Sequence, residues 1–132
     1  PICLSGRIEF LGELETEALE NVYRTASVFV LPSHYEGYGM AYAEALTRGI
    51  PVVGTTGGAI PDTVPGYAGV LVPPGDVDAL TDALEGLLVA PGRLETLAEG
   101  ARMHAGALPG WSEQAKRFGE AVSELSALDA RV

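Results

Sequence analysis

One cysteine, two histidines and eight basic side chains are all this chain offers in three categories that often announce a function. Cys3 has no partner for an intrachain disulfide, which points to a reducing compartment. His34 and His104 are far apart and no Cys/His cluster accompanies them, so no metal site is expected. Eighteen acidic residues against eight basic ones give a net charge of −10. That balance argues against a nucleic-acid surface, which needs clustered Lys and Arg, and against polybasic docking on anionic lipid. No apolar run approaches the roughly 18 residues of a membrane span, and no signal peptide is visible.

What is present reads as one globular domain. The 132 residues are 47% hydrophobic, with 17 Gly and 9 Pro that mark many turns. Arg7 to Gly12 alternates polar and apolar residues and predicts a short strand. Residues 15 to 25 predict a helix through Leu19, Val22, Tyr23 and Ala26, acidic early and basic late. Val28 to Leu31 is a continuous apolar run, which suits a strand covered on both faces. A helix starting near Gly39 or Met40 should end at Gly49, with a strand from Pro51 to Val53 after it. A short helix over 59–64 and a strand over 70–72 come next. Asp76 caps a helix to Leu88 with Leu80, Ala83, Leu84, Leu87 and Leu88 as its buried stripe. Two further helices, about 92–106 and 112–128, are separated by Pro109-Gly110; Ala115, Phe118, Val122 and Leu125 make the last one amphipathic. The alternation is that of an α/β, Rossmann-like parallel sheet with flanking helices.

The most informative segment runs from Pro32 to Ala45. It places Glu36, a Gly37-Tyr38-Gly39 loop and Glu44 around the start of a helix, just past an apolar strand. Glycines let the backbone approach a ligand, and the first amides of a helix lack internal partners and carry positive partial charge. Such a helix start binds a diphosphate without Lys or Arg. Glu44, an acceptor-only carboxylate, matches a ribose diol. Tyr38 between its glycines is expected to hold the loop shape. The bland alternative is an ordinary Gly-rich turn with two glutamates serving as dipole partners. His34 is expected on the loop rim, and His104 is expected to be solvated.

The order of several motifs adds a second line. Glu36 and Glu44 enclose seven residues; Glu44-Ala45-Leu46-Thr47-Arg48-Gly49-Ile50-Pro51-Val52-Val53-Gly54 follows, then Gly57-Gly58-Ala59-Ile60-Pro61-Asp62, then Ala68 to Asp76. Over about residues 8 to 90 this resembles the carboxyl-terminal half of retaining nucleotide-sugar glycosyltransferases of family 4, with the GT-B fold. The remainder fits loosely, through Trp111-Ser112 opening a last helix. The resemblance implies that Glu36 lies by the donor sugar as the catalytic-site carboxylate. It implies that Gly37, Tyr38 and Gly39 face the sugar, that the amides of Met40 and Ala41 face the phosphates, and that Glu44 holds the ribose. Asp62 stands where the family usually has glutamate, and a helix-start role suits it better.

The resemblance further implies a hexosyltransferase-like enzyme whose donor substrate is a nucleoside diphosphate sugar, with no metal or other cofactor. The acceptor, a glycan or lipid, would be held by an amino-terminal domain that this chain lacks. On that reading residues 1–132 are a partial carboxyl-terminal nucleotide-sugar-binding domain, including helices 92–132, inactive in isolation. An Arg/Lys pair for the diphosphate would lie upstream. The expected location is cytoplasmic, with any attachment to the inner membrane face made through the other domain. Two sheet strands would also be missing, with only Ile2-Cys3-Leu4 as a stand-in, and pairing of open edges would give a homo-oligomer. The alternatives are a sugar-nucleotide 2-epimerase, which shares the GT-B fold, and a binding fragment without activity.

Overall fold

A computed structural model describes residues 6–107 and 111–129. Ile2-Cys3-Leu4, the Pro109-Gly110 break and the side chain of Leu125 lie outside the described residues. Chain order is α1 (Thr16–Thr25), β1 (Phe29–Val30), α2 (Met40–Thr47), β2 (Val52–Thr55), α3 (Ile60–Thr63), β3 (Gly69–Val72), α4 (Val77–Val89), α5 (Arg93–Ala107) and α6 (Trp111–Asp129). The three strands form a parallel sheet in the order β1-β2-β3. Among the described residues no helix is long and apolar enough to cross a membrane.

Strand β2 organises the interior because, among the described residues, it alone has a strand on either side, and all four of its residues are buried. Its alternation divides the core in two. Val52 joins Tyr42, Ala45, Leu46, Ile60 and Val64 under α2 and α3. Val53 packs with Leu87 and Leu97 against Val28, Val70, Leu80 and Leu84, on the α4 side. Helix α5 serves both clusters, through Ala101 in the first and Leu97 in the second. Side chains of successive strand residues point to opposite faces, so two adjacent valines commit the sheet to helices on both sides.

Tyr42 is the largest side chain fully buried in this core. Its ring meets Phe29 edge-on at 5.9 Å between centroids. Its hydroxyl donates a short hydrogen bond to the carbonyl of Leu31, at the end of β1. One residue of α2 thus fixes both the body of β1 and the point where the chain leaves it.

Several elements differ from the expectations. Residues 7–12 form no strand; Ile8 and Leu11 are exposed and Phe10 is 94% exposed. An alternating segment becomes a strand only when a neighbour takes its amides and carbonyls, and none pairs with this one among the described residues. Strand β1 is likewise only two residues long, at an edge of the sheet, and it is half exposed and not covered on both faces. Leu88 is 78% exposed, so the buried stripe of α4 stops at Leu87. Helix α6 exists, but Ala115, Phe118 and Val122 lie on its exposed surface. Leu19 and Val22 of α1 are also exposed.

Replacing Tyr42 with Phe keeps the packing and leaves the Leu31 carbonyl without its donor. The expected loss is about 1–2 kcal/mol, read as a lower midpoint in denaturant at unchanged m-value.

Candidate functional site

Residues 31–39 leave β1 at the carboxyl edge of the sheet, and the carbonyls of Leu31, Ser33, Glu36 and Tyr38 are taken up by donors from outside the loop. Tyr42 donates to Leu31. Thr55, buried at the end of β2, donates a short bond to Ser33 from its hydroxyl. The amide of Ala59 donates to the Glu36 carbonyl at 2.9 Å. Thr63 of α3 donates to the carbonyl of Tyr38. Each bond comes from an element already fixed in the core, so the loop is held by its backbone and its side chains remain available.

The Gly57-Gly58 pair makes this possible. A Cβ on Gly57 would lie 2.2 Å from the His34 carbonyl oxygen, and one on Gly58 would lie 2.2 Å from that of Glu36. Gly58 also has φ +64 and pairs with Glu36 as an isolated parallel bridge. The loops after β1 and β2 therefore touch through bare backbone.

Gly39 closes the loop at φ +77 and serves as the amino-terminal cap residue of α2. No side chain caps this helix, and its first turn contains no acid. The amide of Ala43 bonds the Gly39 carbonyl at 3.1 Å; those of Met40, Ala41 and Tyr42 precede it. This end of the helix carries the positive end of the dipole with its donors unspent on capping side chains.

The predicted residues fall into two groups. Glu36, Gly37, Tyr38 and Gly39 lie on the loop, with Met40 and Ala41 directly after it in α2. Glu36 is half-buried, and one carboxylate oxygen accepts from the Ser33 hydroxyl at 2.8 Å. Tyr38 does not wedge the loop: the residue is 63% exposed, and the Thr63 bond to its carbonyl does the holding. Glu44 lies one turn into α2 on the side of α1. Its Oε1 is 3.2 Å from Nη2 of Arg48, which in turn grips Glu20 of α1.

Tyr23 lies in the same cluster. The Arg48 guanidinium carbon is 4.5 Å from its ring centroid, and the ring stacks on Phe29 at 6.3 Å. Burial, and then the negative charge of Glu44, push the Tyr23 hydroxyl pKa up. The hydrogen bond from Arg48 holds the Glu20 carboxyl below its ordinary value, and the same bond raises Arg48.

Two hollows flank these groups. The larger, about 940 Å³, is an open groove between α1 and the end of α2, lined by Glu17, Glu20, Tyr23, Arg24, Arg48 and Ile50. It reaches Ala26 and Ile50, just before β1 and β2, and so lies toward the amino ends of those strands. A smaller one of about 210 Å³ opens at the carboxyl ends of all three strands, between Pro32, His34, Thr55, Val72, Asp76 and Leu80. His34 sits exposed on its rim. Asp76 is occupied in accepting the Ala79 amide at 2.9 Å, as the cap of α4. Asp62 is in the first turn of α3, where a helix start favours an acid. His104 is not simply solvated: its Nδ1 is 3.1 Å from the Tyr67 hydroxyl. Among the described residues no three His, Cys, Asp or Glu side chains converge as metal ligands.

Sequence reasoning missed Ser33, Tyr42, Thr55 and Thr63 as the residues that shape the loop. Thr55 carried a signal, a hydroxyl at the end of the apolar run Val52-Val53-Gly54. A buried hydroxyl needs a partner, and here it is the Ser33 carbonyl.

Comparison with known proteins bears on this edge of the sheet. Residues 3–101 match the family described as Glycosyl transferases group 1. A GDP-mannose-dependent monoacylated alpha-(1-6)-phosphatidylinositol monomannoside mannosyltransferase of Corynebacterium glutamicum is 33% identical over 122 residues, covering 87% of this chain and 32% of that protein. Sucrose-phosphate synthase from Thermosynechococcus elongatus superposes with a TM-score of 0.82 at 35% identity, covering 95% of this chain and 32% of that one. The C-terminal domain of a glycosyl transferase group 1 family protein from Francisella tularensis gives 0.60 at 27% identity, covering 72% and 48%. The chain thus spans about a third of the length of the mannosyltransferase and of the synthase.

Two outcomes test this geometry. Gly58→Ala combines a left-handed backbone with a backbone clash and should cost about 3 kcal/mol, measured by denaturant unfolding. Glu20 has a lowered folded pKa, so its contribution is present above the unfolded value of about 4.3 and is lost as pH falls through the folded one. The difference in Tm between wild type and Glu20→Gln should therefore be constant near neutrality and close as pH drops from about 5 toward 3.

Proposed function

The chain belongs to the group 1 glycosyl transferases, and on that premise we propose that it forms the donor-binding part of a retaining transferase of family 4. The parallel sheet with flanking helices is the Rossmann-like carboxyl-terminal domain of a GT-B fold. The intact enzyme moves a sugar from a nucleoside diphosphate donor to a glycan or lipid acceptor. The observation that carries the reading is the uncapped start of α2, opened by Gly39 and bracketed by Glu36 and Glu44.

The chemistry follows from what those groups offer. Cleavage of a glycosidic bond to diphosphate develops negative charge on the leaving oxygens and an oxocarbenium-like sugar. The amides of Met40 and Ala41 are fixed donors at the positive end of a helix dipole, and they stabilise the leaving diphosphate without reorganising. Glu36 has its carboxylate set by Ser33 and its carbonyl by Ala59, so it meets the donor sugar in a defined position. Gly37, Tyr38 and Gly39 leave room for that sugar. Glu44 accepts from the ribose hydroxyls; no metal enters this scheme. The mannosyltransferase named above is GDP-mannose-dependent by its name, which supports a nucleotide-sugar donor here. Transferase relatives favour transfer over the 2-epimerase alternative. Isolation from the acceptor domain would leave this part able to bind donor and unable to turn it over.

Calorimetric titration of the intact protein with GDP, UDP and ADP tests the site. One nucleotide should bind saturably, and Glu44→Ala should weaken it about tenfold or more, the loss of a charged hydrogen-bond acceptor. Unchanged affinity in that variant removes Glu44 from the ribose. Glu36→Ala should lower kcat by a factor of about 100 or more with little change in nucleotide affinity. Retention is read by NMR of the first-formed product, and an inverted anomeric centre would overturn it.

A further inference from the structure

Arg48 has no part in the scheme above, yet it makes more polar contacts than any other side chain among the described residues. Its Nε donates to Glu20 Oε2 at 3.3 Å and its Nη2 makes a short bond to Glu20 Oε1. The same Nη2 lies 3.2 Å from Glu44 Oε1, and Nη1 donates to the Glu44 carbonyl at 3.1 Å. Tyr23 covers the guanidinium face. Glu20 and Tyr23 come from α1, so the planar fork is fixed from a second element.

We propose that Arg48 is the positioning residue of the nucleotide site, holding the Glu44 carboxylate in the orientation that accepts the ribose, with Glu20 holding Arg48. This rests on the ribose assignment of Glu44. A glutamate on an exposed helix surface samples several rotamers, and fixing it on binding costs affinity. Here one carboxylate oxygen is already engaged, while the Glu44 side chain stays 43% exposed and open to a ligand. An isolated exposed ion pair would contribute little. This one is a network with a two-pronged grip on Glu20, a geometry that the point charge of lysine does not reproduce. It also gives α1 a role, since a helix outside the sheet sets a side chain within the site.

The test separates positioning from general stability. GDP, UDP and ADP, and the 2′,3′-dideoxy form of whichever binds, are titrated into the intact protein and its Arg48→Ala, Arg48→Lys, Glu20→Gln and Glu44→Ala variants. If Arg48 acts through Glu44 and the ribose, Arg48→Ala weakens the ribonucleotide about tenfold and leaves the dideoxy nucleotide at its wild-type affinity. Arg48→Lys recovers only part of the loss, and Glu20→Gln shows a smaller loss of the same selectivity. Should Arg48→Ala fail to fold, Glu20→Gln carries the same comparison. Equal losses for both nucleotides would make Arg48 merely structural and overturn the proposal. Unchanged or tighter ribonucleotide binding would also overturn it. If Glu44→Ala alone is without effect, the ribose assignment falls, and this inference with it. Absence of binding by the wild-type protein would overturn the donor-site reading itself.

Discussion

The carbonyls of Leu31, Ser33, Glu36 and Tyr38 are claimed by groups rooted in the core, and the rest of the candidate site depends on that capture. A loop leaving an edge strand has few backbone partners of its own. Here Tyr42, Thr55, the Ala59 amide and Thr63 supply them. None of these donors belongs to the loop, so its shape is a property of α2, β2 and α3 jointly. With the carbonyls spoken for, Glu36 can present a carboxylate and Gly39 can turn the chain into α2 with its first amides open. Preorganisation of this kind lets electrostatic stabilisation act without reorganisation when charge develops.

The same logic explains the glycines. Gly57 and Gly58 are where two loops pass with no room for a side chain, and the bridge between Glu36 and Gly58 is the contact itself. The pair is therefore a spacing device between the strand ends. It binds the loop after β2 to the loop after β1, so that a diphosphate at the start of α2 would meet a surface fixed from two directions. At a net charge of −10 the chain offers an anion few basic side chains of its own, and fixed backbone geometry of this kind is what it has in their place.

On the opposite flank of α2, charge is organised differently. Arg48 gathers Glu20, Glu44 and Tyr23 into one cluster that joins α1 to the end of α2. Tyr23 then continues through Phe29 to Tyr42 as a line of aromatic contacts into the core. The two flanks of one eight-residue helix thus differ in kind: open amides toward the loop, anchored carboxylate toward α1, the two halves of the proposed site.

Much of this was legible in the chain. The apolar run before the loop, the Gly-Tyr-Gly turn, the helix stop at Gly49 and the cap at Asp76 follow from local rules of backbone freedom and hydrogen-bond supply, and these elements formed where those rules put them. The Glu36 to Glu44 spacing likewise marked the segment that leaves β1 and opens α2. What the chain could not disclose were relations between distant residues. Residues 7–12 have the alternation of a strand but, among the described residues, no neighbour to pair with. The run Val28 to Leu31 reads as buried yet sits at an edge, and Tyr38 looks like a wedge while Thr63 does the holding. Nor does any periodicity reveal that Arg48 reaches a glutamate 28 positions earlier. Sequence determined the local conformations, because φ preferences and capping act within a few residues. Tertiary structure alone decided which carbonyls find donors and which charges meet, because those energies depend on segments that only folding brings together.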